Sequence, residues 1–290
     1  MAIQFNYKSA GIFSFGVMVT LFSLGCDANK SKPDETKKEV ASQDTTRKDT
    51  AQAVKDKFEW QALATDTTKQ YIYLTFDDGP QNGTVACLDL CKKLGVKATF
   101  FMVAAHADNP HLKSIVQNIK ASYPEILLAN HSTTHANGHY KYFYHHPYMA
   151  AEDFYGAQSK MAVPYKIIRL PGNSAWVTNN RKIKASHLVK PVCSILDSSN
   201  YAVIGWDVEW SFSHKTENPI QRPEKIARWM DSALARNHVH TANHVVLLTH
   251  DRMFRNQNYT DSLAKFIGIL KQNPRYVFET IDHYPGAYRK

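Results

Sequence analysis

Two stretches of this chain bring together residue types that can hold a cation and move a proton. The first is Thr75-Phe76-Asp77-Asp78-Gly79-Pro80, where adjacent carboxylates end an apolar run, Tyr71-Ile72-Tyr73-Leu74. Neighbouring side chains on an extended strand point to opposite faces. Two adjacent acids can therefore take different jobs only where the strand ends and the backbone turns. One can bind a metal while the other reaches a water molecule. A solvated turn accounts for the same six residues on turn composition alone. The second stretch, Asn130-His131-Ser132-Thr133-Thr134-His135, follows the apolar run at 126–129 directly. Histidines four apart share one face of a helical turn, so both imidazoles can grip one ion. A lone histidine is more often a hydrogen-bonded structural residue. Adding one carboxylate from the first strand makes two nitrogens and an oxygen with positions left open, the pattern of a catalytic site.

Short apolar runs and longer helical patterns alternate around these residues. The strand candidates are 71–76, 98–103, 126–129, 166–169, 202–206, 245–248 and 276–280. Between them the spacing predicts helices over 85–94, 110–121, 147–160, 181–196, 223–235 and 260–272. Pro110, Pro147 and Pro223 open three of these helices, where a missing N–H costs nothing. The strands are rich in Val, Ile, Phe and Tyr, and several are apolar throughout, as in a parallel sheet covered on both faces. Seven strands with intervening helices imply an α/β protein, either a barrel or a doubly wound sheet. In both, active sites gather at the carboxyl ends of the strands. Asp77 and Asp78 follow the first strand and His131 and His135 the third. Arg169 follows the fourth, Asp207 and Glu209 the fifth, and His250 and Asp251 the sixth. No internal repeat and no second domain are evident.

These segments, in this order, resemble the five motifs of the polysaccharide deacetylases, the carbohydrate esterase family of chitin, peptidoglycan and acetylxylan deacetylases. The motifs are Thr75 to Pro80, His131-Ser-Thr-Thr-His135, Arg169-Leu170-Pro171, Trp206-Asp-Val-Glu-Trp210 and Leu248-Thr249-His250; Ala98-Thr99-Phe100-Phe101 resembles that family's second strand. The resemblance covers about residues 69–284. It implies a distorted (β/α) barrel of about seven parallel strands. It further implies that Asp78, His131 and His135 hold a divalent metal, most often Zn2+. Asp77 would be the general base, oriented by Arg169, and His250 the general acid. Leu248 would line the pocket for the acetyl methyl, and Gly172 and Trp210 would meet the substrate.

An amide is a poor electrophile with a poor leaving group. A metal polarises its carbonyl and acidifies the attacking water, while a backbone N–H after Arg169 helps hold the oxyanion. A proton from His250 lets the amine depart, and the charge of Arg169 favours ionised Asp77. The chain departs from the family pattern in two places. The third motif reads Arg169-Leu170-Pro171-Gly172-Asn173 where many relatives carry Arg-Pro-Pro-aromatic-Gly, so the aromatic wall of the groove is missing. The fourth motif offers either Asp207 or Glu209 as the acid that steadies His250. The segment Gly138-His-Tyr-Lys-Tyr-Phe-Tyr-His-His-Pro147 serves equally as a sugar-stacking wall or as packing under the barrel rim. At least one of Trp206 and Trp210 belongs in the core. His145-His146 has nothing at matching spacing to complete a second metal site.

The remainder of the chain sets the context. Lys8 and the apolar segment 11–24 suit a secretory signal, and Gly25-Cys26 resembles the lipidation site of a bacterial lipoprotein. Residues 27–60 form a polar tether, with eight basic and seven acidic side chains in 27–57; such a segment buries too little apolar surface to fold. The catalytic domain spans 61–290. From residue 58 onward 26 basic and 19 acidic residues leave a charge of +7, with no dense Arg/Lys stripe, so nucleic acid is not an expected partner. Cys87, Cys91 and Cys193 read as packing residues, since no Cys-x-x-Cys pair occurs. The expected function is a secreted, membrane-anchored, metal-dependent deacetylase of an acetylated polysaccharide in the periplasm or at the cell surface. The alternatives are a glycan-binding lipoprotein without turnover, or an amidohydrolase of a non-sugar C–N bond.

Overall fold

A computed structural model describes residues 66–178 and 182–287. The signal segment, Cys26, the tether up to residue 60 and the start of the helix expected at 181 lie outside the described residues. The strands are β1 (Gln70–Gly79), β2 (Ala98–Met102), β3 (Ile126–Asn130), β4 (Ile167–Ile168), β5 (Ala202–Val203), β6 (Val208–Glu209), β7 (His244–His250) and β8 (Tyr276–Phe278). They form one parallel sheet in the order β5-β4-β3-β2-β1-β7-β6, and β8 pairs with the first residues of β1. The helices are α1 (Thr84–Leu94), α2 (Pro110–Ala121), α3 (Tyr140–His145), α4 (Pro147–Lys160), α5 (Lys190–Ser198), α6 (Pro223–Ala235) and α7 (Gln257–Lys271). This is the expected distorted (β/α) barrel.

The period of two along the strands assigns each side chain to a layer. Ile72, Leu74, Phe76, Phe100, Met102, Leu128, Val245 and Leu247 pack outward against the helices. The alternate residues Tyr71, Tyr73, Phe101, Leu127, Ala129, Ile167 and Val246 fill a second, inner cluster. Continuing the inner parity past the last apolar residues reaches Asp77, His131, Arg169 and His250. The barrel interior therefore delivers four polar side chains to one end of the sheet. Arg169 is fully buried there.

The sheet path ends at β5 and β6, and residues 204–207 cross between these two edges. Arg169 satisfies that crossing: its Nε donates to the Ile204 carbonyl (3.2 Å) and its Nη2 to the Gly205 carbonyl (2.9 Å). Unpaired carbonyls at a buried edge would otherwise cost about 1–3 kcal/mol each.

Several helices and strands differ from expectation. The helix read over 181–196 is confined to Lys190–Ser198, because Pro191 fits only the first helical turn. The final helix starts at Gln257, before the expected 260. The strand read over 202–206 stops at Val203, and Val208–Glu209 forms a separate strand against β7. The short helix Tyr140–His145 carries too little periodic pattern to have been legible. Cys87, Cys91 and Cys193 are buried and free, as expected of packing residues.

Candidate active site

Asp77 and Asp78 reach the same site because β1 contains a bulge. Asp77 pairs with Phe101 and Gly79 with Met102, so Asp78 is the extra residue. Its φ of 74° lies in the left-handed region, where a non-glycine residue is uncommon. His106 Nδ1 donates to the Asp78 carbonyl at 2.9 Å and holds the bulge. Without it, Asp78 would follow the outward parity of Phe76. Asp77 stays inward, in direct register with His250 of β7.

The two histidines are not on a helical turn. His131 continues β3, with its N–H donating to the Met102 carbonyl. Ser132 and His135 then adopt positive φ values of 77° and 51°, and an irregular loop folds His135 back toward His131. The Ser132 hydroxyl accepts from the His135 N–H at 2.9 Å, and Asp153 accepts from the N–H groups of Thr133 and Thr134. Those bonds stand in for the helical ones that the spacing suggested.

One oxygen of Asp78 lies between both imidazoles. Its Oδ1 is 3.3 Å from His131 Nε2 and 3.0 Å from His135 Nε2. Neither contact has hydrogen-bond geometry, and Oδ1 is buried without a hydrogen-bonding partner. A buried carboxylate oxygen left so is costly unless something else satisfies it. Ligand atoms bound tetrahedrally to one zinc ion stand about 3.3 Å apart, which matches these separations. Asp78, His131 and His135 are the one His/Cys/Asp/Glu group among the described residues with metal-ligand proximity. The tautomers agree: His131 Nδ1 donates to the Arg169 carbonyl at 2.9 Å, leaving the Nε2 lone pair toward Asp78. His135 Nδ1 stands 3.3 Å from the Tyr140 hydroxyl, which can accept its proton. These residues fit a divalent cation.

Asp77 sits beside this group with one oxygen committed. Arg169 Nη1 donates to Oδ1 at 2.9 Å and to Thr75 Oγ1 at 2.5 Å. Oδ2 lies 3.7 Å from His131 Nε2. His250 closes the opposite wall, its Nε2 3.8 Å from Asp78 Oδ2 and its ring edge-on to Phe212 at 4.8 Å. Burial would raise the Asp78 carboxyl, yet the approach of His131 and His135 and the charge of His250 hold it well below the usual range. Burial lowers His250 below the ordinary histidine value, against the opposing pull of Asp78 and Asp77. For His131 burial acts downward too, but Asp77 and Asp78 prevail and raise it.

Three expected roles need correction. Asp207 does not reach His250: its Oδ1 accepts from the His240 N–H (2.7 Å) and its Oδ2 from the Val246 N–H (2.8 Å). It serves as a surrogate strand edge for β7, where two-residue β6 runs out. Glu209 is exposed on β6. Instead, His250 Nδ1 is buried without a hydrogen-bonding partner. Trp210 is not at the substrate groove but fully buried between Phe254 and Phe266, its indole donating to the Gln221 carbonyl. Trp206 is the partly exposed member of the pair. Leu248 is buried on the inner face one step before His250, and Gly172 is exposed beside the ring of Tyr140.

The aromatic segment divides between buried and exposed rings. Phe143 and Tyr144 are buried, whereas Tyr142 is 62% exposed. Tyr140 contacts both His135 and the space over Gly172. Sequence reasoning missed Tyr140 as a partner of His135, and it missed Arg252, whose Nη2 lies 3.2 Å from Asp78 Oδ2. For Arg252 the signal was present, since it follows His250 by two residues.

The polysaccharide deacetylase family model matches residues 64–174, a span that runs from before Asp77 to beyond Gly172. Chitin disaccharide deacetylase of Vibrio alginolyticus is 28% identical over 313 aligned positions, covering 77% of this chain and 73% of that one. Two solved structures share the fold. The catalytic domain of peptidoglycan N-acetylglucosamine deacetylase from Eubacterium rectale ATCC 33656 superposes with a TM-score of 0.56 at 22% identity, covering 78% of this chain and 95% of that one. A family 4 carbohydrate esterase from Streptomyces lividans gives 0.53 at 20% identity, covering 76% and 96%.

Proposed function

We propose, since this chain belongs to the polysaccharide deacetylase family through residues 64–174, that it is a metal-dependent hydrolase removing acetyl groups, chiefly N-acetyl, from a cell-wall or extracellular polysaccharide. The observation that carries this reading is the bare Asp78 Oδ1, buried 3.0 and 3.3 Å from two imidazole nitrogens. Asp78, His131 and His135 would hold the cation, most often Zn2+. When bound, that cation supplies carbonyl polarisation and a more acidic water. Asp77 accepts the water proton at Oδ2 while Arg169 fixes Oδ1. The Gly172 N–H would meet the oxyanion. Leu248 borders the acetyl methyl. His250 passes a proton from Nε2 to the departing amine nitrogen, so that the C–N bond breaks instead of the new C–O bond.

Residues 1–26 would direct secretion, with lipidated Cys26 and the tether 27–60 holding the domain at a membrane. Labelled palmitate incorporated by wild type and lost in Cys26→Ser would support that part. The catalytic part is tested by acetate release from chitin disaccharide, peptidoglycan and acetylxylan, before and after chelation and zinc restoration. Activity should vanish on chelation and return with metal. His131→Ala should lose both zinc and acetate release; undiminished release from that variant would refute the assignment. Glycan binding with no acetate release from any substrate would favour a non-catalytic surface protein.

A further inference from the structure

The second oxygen of Asp78 is held from outside the candidate metal group. Arg252 Nη2 approaches Oδ2 at 3.2 Å, and Arg252 Nη1 lies 3.6 Å from Glu217 Oε1. The guanidinium also lies over the ring of Phe212, 5.9 Å from its centroid, and that ring meets His250 edge-on. Glu217 occupies a turn at φ 55°, with its N–H donating to the Ser213 carbonyl. Arg255 pins this turn: Nη2 donates to the Thr216 carbonyl at 2.6 Å, and Nη1 to the carbonyls of Glu217 (3.3 Å) and Arg252 (2.9 Å). A chain of ionic and hydrogen-bonded contacts thus runs from the 213–218 turn to Asp78.

The terminal torsion of an aspartate is broad and two-fold, so its oxygens exchange places readily unless something distinguishes them. Here something does. We propose that Arg252, braced by Glu217, is a positioning residue that engages Asp78 Oδ2 and so presents Oδ1 to His131 and His135. This inference rests on the metal-dependent reading above. Arg252 is poorly suited to capture an anionic substrate group, because Asp78 and Glu217 already flank its charge. The same neutralisation by Glu217 weakens repulsion between the guanidinium and a bound dication. Orientation therefore outweighs repulsion, and partners of this kind commonly contribute about 10- to 100-fold in metal affinity.

The test is zinc affinity of the purified full chain, read by competition with a chromophoric chelator, alongside the visible spectrum of the cobalt-substituted protein. Arg252→Ala should bind zinc at least about 10-fold more weakly, with an altered cobalt band. Arg252→Lys retains the charge and one contact to Asp78, so it should recover part of that loss. Glu217→Gln leaves Arg252 in place but unbraced, and should weaken zinc several-fold. Circular dichroism checks each fold; if Arg252→Ala does not fold, Arg252→Lys decides, and a wild-type affinity and cobalt spectrum in it would overturn the proposal. So would Arg252→Ala binding zinc within about two-fold of wild type with an unchanged spectrum. A wild type that binds no zinc would remove the metal-dependent reading itself, and this inference with it.

Discussion

Replacing Arg169 with methionine isolates the interaction on which both barrel closure and the proposed base depend. The guanidinium is wholly buried, and its donors meet Asp77, Thr75, Ile204 and Gly205. Methionine of similar length leaves the Asp77 carboxylate without its cation, an uncompensated buried charge that costs about 3–5 kcal/mol. It also strands the carbonyls of Ile204 and Gly205, at about 1–3 kcal/mol each. The sum exceeds about 5 kcal/mol, comparable to the whole stability of many domains. A second substitution separates the two contributions. In Asp77→Asn/Arg169→Met the buried charge is gone but the stranded carbonyls remain, so about 3 kcal/mol should return relative to the single variant. Urea unfolding, extrapolated linearly to water at constant slope, measures that recovery; if Arg169→Met does not fold, the same pair is made with Arg169→Gln, which also removes the cation. No variant of the set should release acetate. A double variant no more stable than Arg169→Met would refute the argument that pairing with Asp77 is the main task of Arg169 in the fold.

Burial pushes the Asp207 carboxyl up from 3.8 to about 6, against the two backbone N–H groups it accepts from. Its folded value lies above its unfolded one, so its contribution is intact below about pH 4 and lost as pH rises through about 6. Asp207→Asn should accordingly gain on wild type between pH 4 and pH 7, by at most about 3 kcal/mol; a pH-independent difference in urea midpoints would contradict this. Tyr140→Phe removes the hydroxyl beside His135 Nδ1 and should weaken zinc binding about 10-fold, whereas an unchanged dissociation constant would mean that another group sets this tautomer. Gly205→Ala would put a Cβ 2.4 Å from Ser174 Oγ and 2.8 Å from Trp176 Nε1. Overpacking there should cost about 1–3 kcal/mol, and an unaltered thermal midpoint would show that the crossing yields.

By itself the sequence determined the alternation of strands and helices and the inner parity that carries Asp77, His131, Arg169 and His250 to one end of the barrel. Apolar side chains recurring at every second position leave little freedom over which face a flanking polar residue joins. The pairing of His131 with His135 was also legible, though not its backbone: a loop with two positive φ values accomplishes what the spacing ascribed to a helix. Only tertiary structure decided the rest. The bulge at Asp78 depends on the register of β1 against β2. The role of Asp207 depends on β6 being too short to satisfy β7, and Trp210 is core because α7 and the turn at Asp251–Phe254 close over it. Arg252 reaches Asp78 only because a turn some 35 residues upstream supplies Glu217 to brace it. Side-chain direction along one strand is a local property of the chain. Which hydrogen-bonding groups remain unpaired, and what arrives to pair them, depends on segments distant in sequence.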